Sequence, residues 1–188
     1  MSLAYLIFNV ELNSFFNIND SNDPIGRRYL HNNKIIHRDL KLSNILVVSD
    51  DENSSGAVCK ISDFGTSRDV DITTTMSMTH SMTMTSNIGT PLYMAPEILN
   101  GSGRYSMSAD VYSYGIVLCG LWNQTIPYSE REFESAPVFF KAVIEQNLRP
   151  TLRDDCPQPY INLANACWQQ DPHKRPSLDE ITQTVFGE

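Results

Sequence analysis

Basic residues are scarce in this sequence. Lys and Arg number 14 against 22 Asp and Glu, a formal net charge of -8 and a pI near 4.9. That balance excludes the electrostatic footprint of a nucleic-acid or anionic-lipid binder and leaves a basic protein substrate open. Cysteine is equally sparse. Cys59, Cys119, Cys156 and Cys167 form no C-x-x-C pair and have no histidines at zinc-ligand spacing, which argues for reduced thiols rather than a metal centre. Long apolar runs are missing too. The longest, Val111 to Trp122, is interrupted by Ser113 and Gly115 and falls short of the ~17 to 25 residues that cross a bilayer. Leu3 to Val10 is apolar but has no Lys or Arg before Arg27 and no small-residue cleavage site, so a signal peptide is not expected. The Asn-x-Ser/Thr matches at Asn19, Asn53, Asn100 and Asn123 then read as chance. What is present is 188 residues, 41% hydrophobic and 10% aromatic. That is enough for one domain with a packed core and too short for two.

The opening residues Leu3 to Val10 read as a strand, followed by a turn-rich stretch from Asn13 to Pro24. Asn44 to Val48 and Val58 to Ile61 are apolar and rich in β-branched residues, and the polar run Ser49 to Gly56 between them predicts a hairpin connection. Residues 70–86 hold only Thr, Ser, Met, Asp, Val, Ile and one His, a composition that predicts a long loop. Helical periodicity takes over beyond Pro96. Ser108 is placed to cap a helix from Ala109 to Trp122 that is apolar nearly all round and therefore buried on every side. Phe139, Phe140, Val143, Ile144 and Leu148 recur at three- and four-residue steps, as do Ile161, Leu163, Ala164, Cys167 and Trp168, predicting amphipathic helices around it. Ser177, with Glu180 three residues on and then Ile181, is a capping-box start for a last helix.

Three short motifs carry the chemistry. His37-Arg38-Asp39-Leu40-Lys41-Leu42-Ser43-Asn44 fits H-R-D-L-x-x-x-N; Asp63-Phe64-Gly65 begins nineteen residues after Asn44, across the predicted hairpin; Ala95-Pro96-Glu97 follows 32 residues after Asp63. With them the chain resembles the larger, C-terminal lobe of a eukaryotic protein kinase over residues 29–187. Gly89 to Glu97, Asp110 to Gly115 and Asp171 to Pro176 look most like the tyrosine-kinase-like group of Ser/Thr kinases. The resemblance implies an α+β, mainly α-helical fold with small β-hairpins, an activation segment over 63–97, ATP and Mg2+ as cofactors, a protein substrate, a cytoplasmic setting and an upstream kinase.

Phosphoryl transfer needs charge neutralisation and a positioned hydroxyl more than covalent chemistry. Asp63 offers a carboxylate and Asn44 an amide oxygen, hard donors that suit Mg2+. Asp39 can accept the proton of the incoming hydroxyl, and Lys41 supplies a point charge for the transferring phosphate. Lys41, Asn44, Leu46 and Asp63 are the implied nucleotide contacts. Histidine titrates near neutrality, but the resemblance assigns His37 to the core against Phe64 rather than to proton transfer. It gives Arg38 a phosphorylated partner in the activation segment, for which Thr83, Thr85 and Ser86 are the candidates. Lys41 with Thr90 looks like the Ser/Thr-specific pattern. Glu97 and Arg175 are implied as a buried ion pair, and Asp110 as the anchor of the catalytic-loop backbone.

Other parts of a kinase are missing from these residues. No glycine-rich loop precedes His37, the only upstream lysine is Lys34 and the only upstream glutamate is Glu11. Gly101-Ser102-Gly103 follows Glu97 and reads as a turn. Residues 1–28 are expected to be a remnant of strand, hinge and shortened helix, since Pro24 leaves only Pro24 to His31 for the helix before the catalytic loop. A truncated or misassembled gene explains both features, with a genuine single-lobe protein as the alternative. On that basis the chain is expected to have little turnover alone, and the rival function is a non-catalytic, pseudokinase-like binding module.

Overall fold

The computed structural model describes residues 35–49, 57–63, 68–69, 90–101 and 105–186. The expectations for Leu3 to Val10, for the helix from Pro24 to His31, for the hairpin connection, for the 70–86 loop, and for Phe64, Thr83, Thr85 and Ser86 lie outside them.

Strand β1 (Ile35–Ile36) is followed by a 3-10 turn (Leu42–Asn44), β2 (Ile45–Ser49), β3 (Ala57–Ile61) and β4 (Arg68–Asp69). β2 and β3 pair antiparallel, with Ile45 opposite Ile61 and Val47 opposite Cys59. Their β-branched residues suit a pleated, half-buried ribbon. The pairing falls within a residue of the predicted strands at either end. β1 and β4 form a second antiparallel pair, Ile35 opposite Asp69 and Ile36 opposite Arg68. Two-residue strands far apart in sequence leave no periodicity to read, so this pair was not foreseen.

After a second 3-10 turn (Thr90–Tyr93) come α1 (Pro96–Leu99), α2 (Met107–Asn123), α3 (Ala136–Glu145), α4 (Gln158–Cys167), a third 3-10 turn (Pro172–Lys174) and α5 (Leu178–Phe186). Prolines open α1, α3 and α4, where the missing N–H would have had no helical partner. The cap of α2 corrects the sequence expectation. The helix begins two residues before Ala109 and its N-cap is Ser106, not Ser108. Ser108 lies inside the first turn, where its hydroxyl bonds the Ser106 hydroxyl at 2.8 Å. Gln124, at φ 56, ends the helix in the left-handed region. At α5, Glu180 N–H donates to Ser177 Oγ and Ser177 N–H to Glu180 Oε2, the reciprocal capping box.

α2 is the axis of the core. Val111, Tyr112, Ile116, Val117, Leu118 and Cys119 are buried, and Phe139 and Val143 of α3, Leu163, Ala164 and Cys167 of α4 and Ile181 of α5 join them in one cluster. Each such aliphatic side chain contributes about 1.5 to 3 kcal/mol relative to an exposed one. α4 approaches α2 so closely that a Cβ on Gly115 would stand 2.9 Å from Cys167 Cβ and 3.1 Å from the Trp168 nitrogen. At the other end a Cβ on Gly120 would meet Leu42 Cδ1 at 2.7 Å. The loop that carries Asp39 to Asn44 therefore rests directly on the helical core.

Candidate active site

Asp110 anchors the loop from beneath. Its Oδ2 accepts the His37 N–H at 2.6 Å and its Oδ1 the Arg38 N–H at 3.0 Å. Burial pushes the Asp110 carboxyl up from its ordinary range, and the two N–H bonds oppose that shift by favouring the anion. Between these bonds the chain turns sharply, with Arg38 at φ 71, a left-handed conformation that L residues other than Asn, Asp and Gly rarely adopt. Asp63 lies at φ 64. Arg38 is the strained one of the two, since Asp adopts this backbone readily; Gln124, Tyr128 and Asn147 are left-handed too, outside these motifs.

His37 is 3% exposed, and its Nε2 lies 3.1 Å from the Ser62 carbonyl oxygen. A carbonyl only accepts, so Nε2 carries the proton and is committed to backbone. Asn44 makes a second link to the same residue. Its carbonyl accepts both the Ser62 N–H at 2.8 Å and the Ser62 hydroxyl at 3.1 Å. Ser62 immediately precedes Asp63, so these three bonds fix the exposed Asp63 beside the loop. Sequence reasoning missed Ser62. Its only signal was a small polar residue between a strand and Asp-Phe-Gly.

Within the loop, Lys41 Nζ donates to Asp39 Oδ2 at 2.7 Å, and Asn44 Nδ2 donates to the Asp39 carbonyl at 2.8 Å and to Oδ2 at 3.3 Å. All the recorded side-chain bonds of Asp39 fall on Oδ2, so Oδ1 carries none among the described residues. A carboxylate held this way keeps one oxygen able to take a proton. With Nδ2 of Asn44 committed to Asp39, its amide oxygen is left as a hard donor, on a residue whose backbone is bonded to Ser62 next to Asp63. Among the described residues no group of three His, Cys, Asp or Glu side chains could hold a metal by itself. One carboxylate with one amide oxygen fits Mg2+, which keeps water and phosphate oxygens for its other positions. Leu46, on β2 opposite Lys60, is 50% exposed, more than any other leucine among the described residues.

The remaining site residues are placed as follows. Thr90 opens the 3-10 turn that ends at Tyr93. Burial pushes the Tyr93 phenol up to about 12, against a bond from the Leu42 backbone, so this turn also touches the loop. Glu97 and Arg175 form a two-pronged pair at 2.7 and 2.8 Å. Arg175 also donates to the carbonyls of Gln169, Ser108 and Gln170, so all five of its N–H donors are used. Two features went unforeseen. The Tyr112 ring has two guanidiniums over it, Arg149 at 4.9 Å and Arg175 at 5.1 Å from its centroid, and Arg38 lies over the Tyr105 ring at 5.5 Å. Neither contact leaves a trace in sequence spacing.

The loop thus brings Asp39, Lys41 and Asn44 into one hydrogen-bonded cluster, with its backbone held by the buried Asp110. The protein kinase domain pattern matches residues 25–186, and the chain belongs to that family. A probable LIM domain-containing serine/threonine-protein kinase of Dictyostelium discoideum is 40% identical over 158 residues, covering 84% of this chain and 21% of that protein. A probable serine/threonine-protein kinase of the same organism is 39% identical over 156 residues, 83% of this chain and 10% of its own. Mitogen-activated protein kinase kinase kinase 10 of Mus musculus is 37% identical over 165 residues, 85% and 16%. The chain thus spans between 10% and 21% of the length of these relatives. No helix among the described residues is long and apolar enough to cross a membrane.

Proposed function

We propose that this chain is the C-terminal lobe of a serine/threonine protein kinase and that it transfers the γ-phosphate of ATP to Ser or Thr hydroxyls of proteins. The observation that carries this reading is the Asp39–Lys41–Asn44 cluster, with Asp63 tied beside it through Ser62. Asp39 takes the proton of the incoming hydroxyl on Oδ1, while Lys41 and Asn44 hold its other oxygen and fix its orientation. Lys41 then turns its charge to the phosphate. Asn44 and Asp63 hold Mg2+, which when bound neutralises phosphate charge, and Leu46 packs on the nucleotide base. Arg38 receives a phosphate on the activation segment, with Thr83, Thr85 and Ser86 as acceptors for an upstream kinase, and Thr90 with Lys41 sets the preference for Ser/Thr. His37, Phe64, Glu97, Asp110 and Arg175 hold the frame. The buried thiols Cys119, Cys156 and Cys167 go with a reducing, cytoplasmic setting.

Ahead of His37 these 188 residues hold no glycine-rich loop and, apart from Lys34 three residues away, no lysine, so the phosphates lack part of their clamp and the chain alone turns over little. The test is transfer from γ-labelled ATP with Mg2+ to Ser, Thr and Tyr peptides. The expected result is slow labelling of Ser/Thr peptides that Asp39→Asn abolishes. Turnover near the ~1 to 100 s⁻¹ of complete kinases would contradict the incompleteness. Preferential tyrosine labelling would overturn the Ser/Thr assignment. No Mg2+-ATP binding at all would leave the non-catalytic binding module as the reading.

A further inference from the structure

Arg38 has an uncommon setting for a cation. Its amide is fixed on Asp110, its backbone is left-handed, and its Nε is buried without a hydrogen-bond partner among the described residues. A desolvated donor of this kind is unfavourable until an acceptor arrives. What the side chain does have is an aromatic face, the Tyr105 ring 5.5 Å from its guanidinium carbon. A ring attracts a guanidinium electrostatically through its π-face and offers it no lone-pair acceptor there. The ring contact therefore restrains the group while Nε keeps no acceptor among the described residues and stays available to a phosphate oxygen. Burial and the Asp110 charge push the Tyr105 phenol up to about 12, with Arg38 pulling the other way, so the ring is neutral at physiological pH. Tyr105 also stands at the lead-in to α2, the helix that supplies Asp110. The two contacts that hold Arg38, one on its backbone and one on its side chain, thus share a single rigid base.

We infer that Tyr105 is a positioning residue, whose ring face holds the Arg38 guanidinium so that its N–H edge is preset for a phosphate-type oxyanion. This rests on the reading of Arg38 as the phosphate receiver, and assigns to Tyr105 the orientation of that receiver. It predicts that the ring face matters and the phenol hydroxyl does not.

The experiment is a titration of the full 188-residue chain with inorganic phosphate at constant ionic strength. It is followed on the Arg38 Nε–Hε resonance, which Arg38→Met identifies by its loss. Ring current from Tyr105 should displace that resonance in the wild type and in Tyr105→Phe, and the displacement should vanish in Tyr105→Leu. The apparent phosphate affinity should weaken about threefold to tenfold in Tyr105→Leu, the range of a partly desolvated cation–π contact, and stay within about twofold in Tyr105→Phe. Tyr105→Met, which fills similar volume without a ring face, serves the same purpose if the leucine variant does not fold. Phosphate binding at Arg38 that is unchanged in Tyr105→Leu or Tyr105→Met would overturn the inference. So would a Tyr105→Phe defect as large as theirs, or an Arg38 resonance in the wild type that ignores phosphate. No turnover enters this titration, so failure of the kinase reading would show separately, as absent Mg2+-ATP binding and absent transfer.

Discussion

Two ion pairs in this chain use the same chemistry and are built to opposite ends. Arg175 has a fully buried side chain, and every one of its donors meets an acceptor, two of them on Glu97. Lys41 and Asp39 are 22% and 16% exposed, and the aspartate keeps an oxygen unengaged. The first pair closes a joint between α1 and the segment ahead of α5, and has nothing left to offer a ligand. The second sits on a loop with a left-handed Arg38 beside it and retains acceptor capacity. In these two pairs, full satisfaction goes with the scaffold joint and incomplete satisfaction with the motif-bearing loop.

The sharpest way to break this contrast is to remove one member of each pair. Arg175→Met leaves Glu97 uncompensated and should cost about 3 to 5 kcal/mol in denaturant unfolding. Asp39→Asn should change stability by less than about 1 kcal/mol, as expected of a partly exposed pair, while removing transfer. Equal losses in the two variants would erase the distinction. Gly115→Ala probes the scaffold without touching a charge. The added methyl meets Cys167 and the Trp168 backbone, so overpacking should cost about 1 to 3 kcal/mol, read from the same unfolding curves.

Titration sharpens the comparison from the alkaline side. Burial pushes Cys119 and Tyr93 up to about 12 and Cys156 up to about 11. The unfolded chain therefore loses these protons first, so the contribution of these groups should be constant below about pH 8 and stability should fall as pH rises through the ordinary thiol and phenol values. Unfolding midpoints measured from pH 7 to 11 check the sign. In the same native state at pH 8 these thiols are protonated, so alkylation should be slow. The smallest effect lies at the end of α2. Gln124→Gly removes a side chain from a left-handed position and should raise stability by up to about 1 kcal/mol, visible as a small gain in Tm.

Much of this architecture was legible in the sequence wherever a local rule governs it. The hairpin of β2 and β3 shows in its β-branched runs, α2 in a stretch apolar on every side, and the start of α5 in the Ser177–Glu180 box. Asp39, Lys41, Asn44 and Asp63 stand out through motif spacing. What escaped depends on contacts between distant residues. The β1–β4 pair is too short for a period, and the contacts of Tyr112 with Arg149 and Arg175 join three separate segments. The α2 cap was misplaced because Ser106 and Ser108 are equally good caps by type, and only the backbone decides between them. Ser62 and Tyr105 were missed for a related reason, since each acts by holding another residue and carries no chemistry that composition reveals.

The central claim is that Asn44 and Asp63 form the Mg2+ end of a nucleotide site, and the most direct measurement is ATP binding by the chain with and without Mg2+. The wild type should bind more tightly when Mg2+ is present, and Asp63→Asn should lose that dependence while keeping the wild-type unfolding midpoint. Binding that ignores Mg2+ in the wild type, or a Mg2+ dependence that survives in Asp63→Asn, would contradict the account.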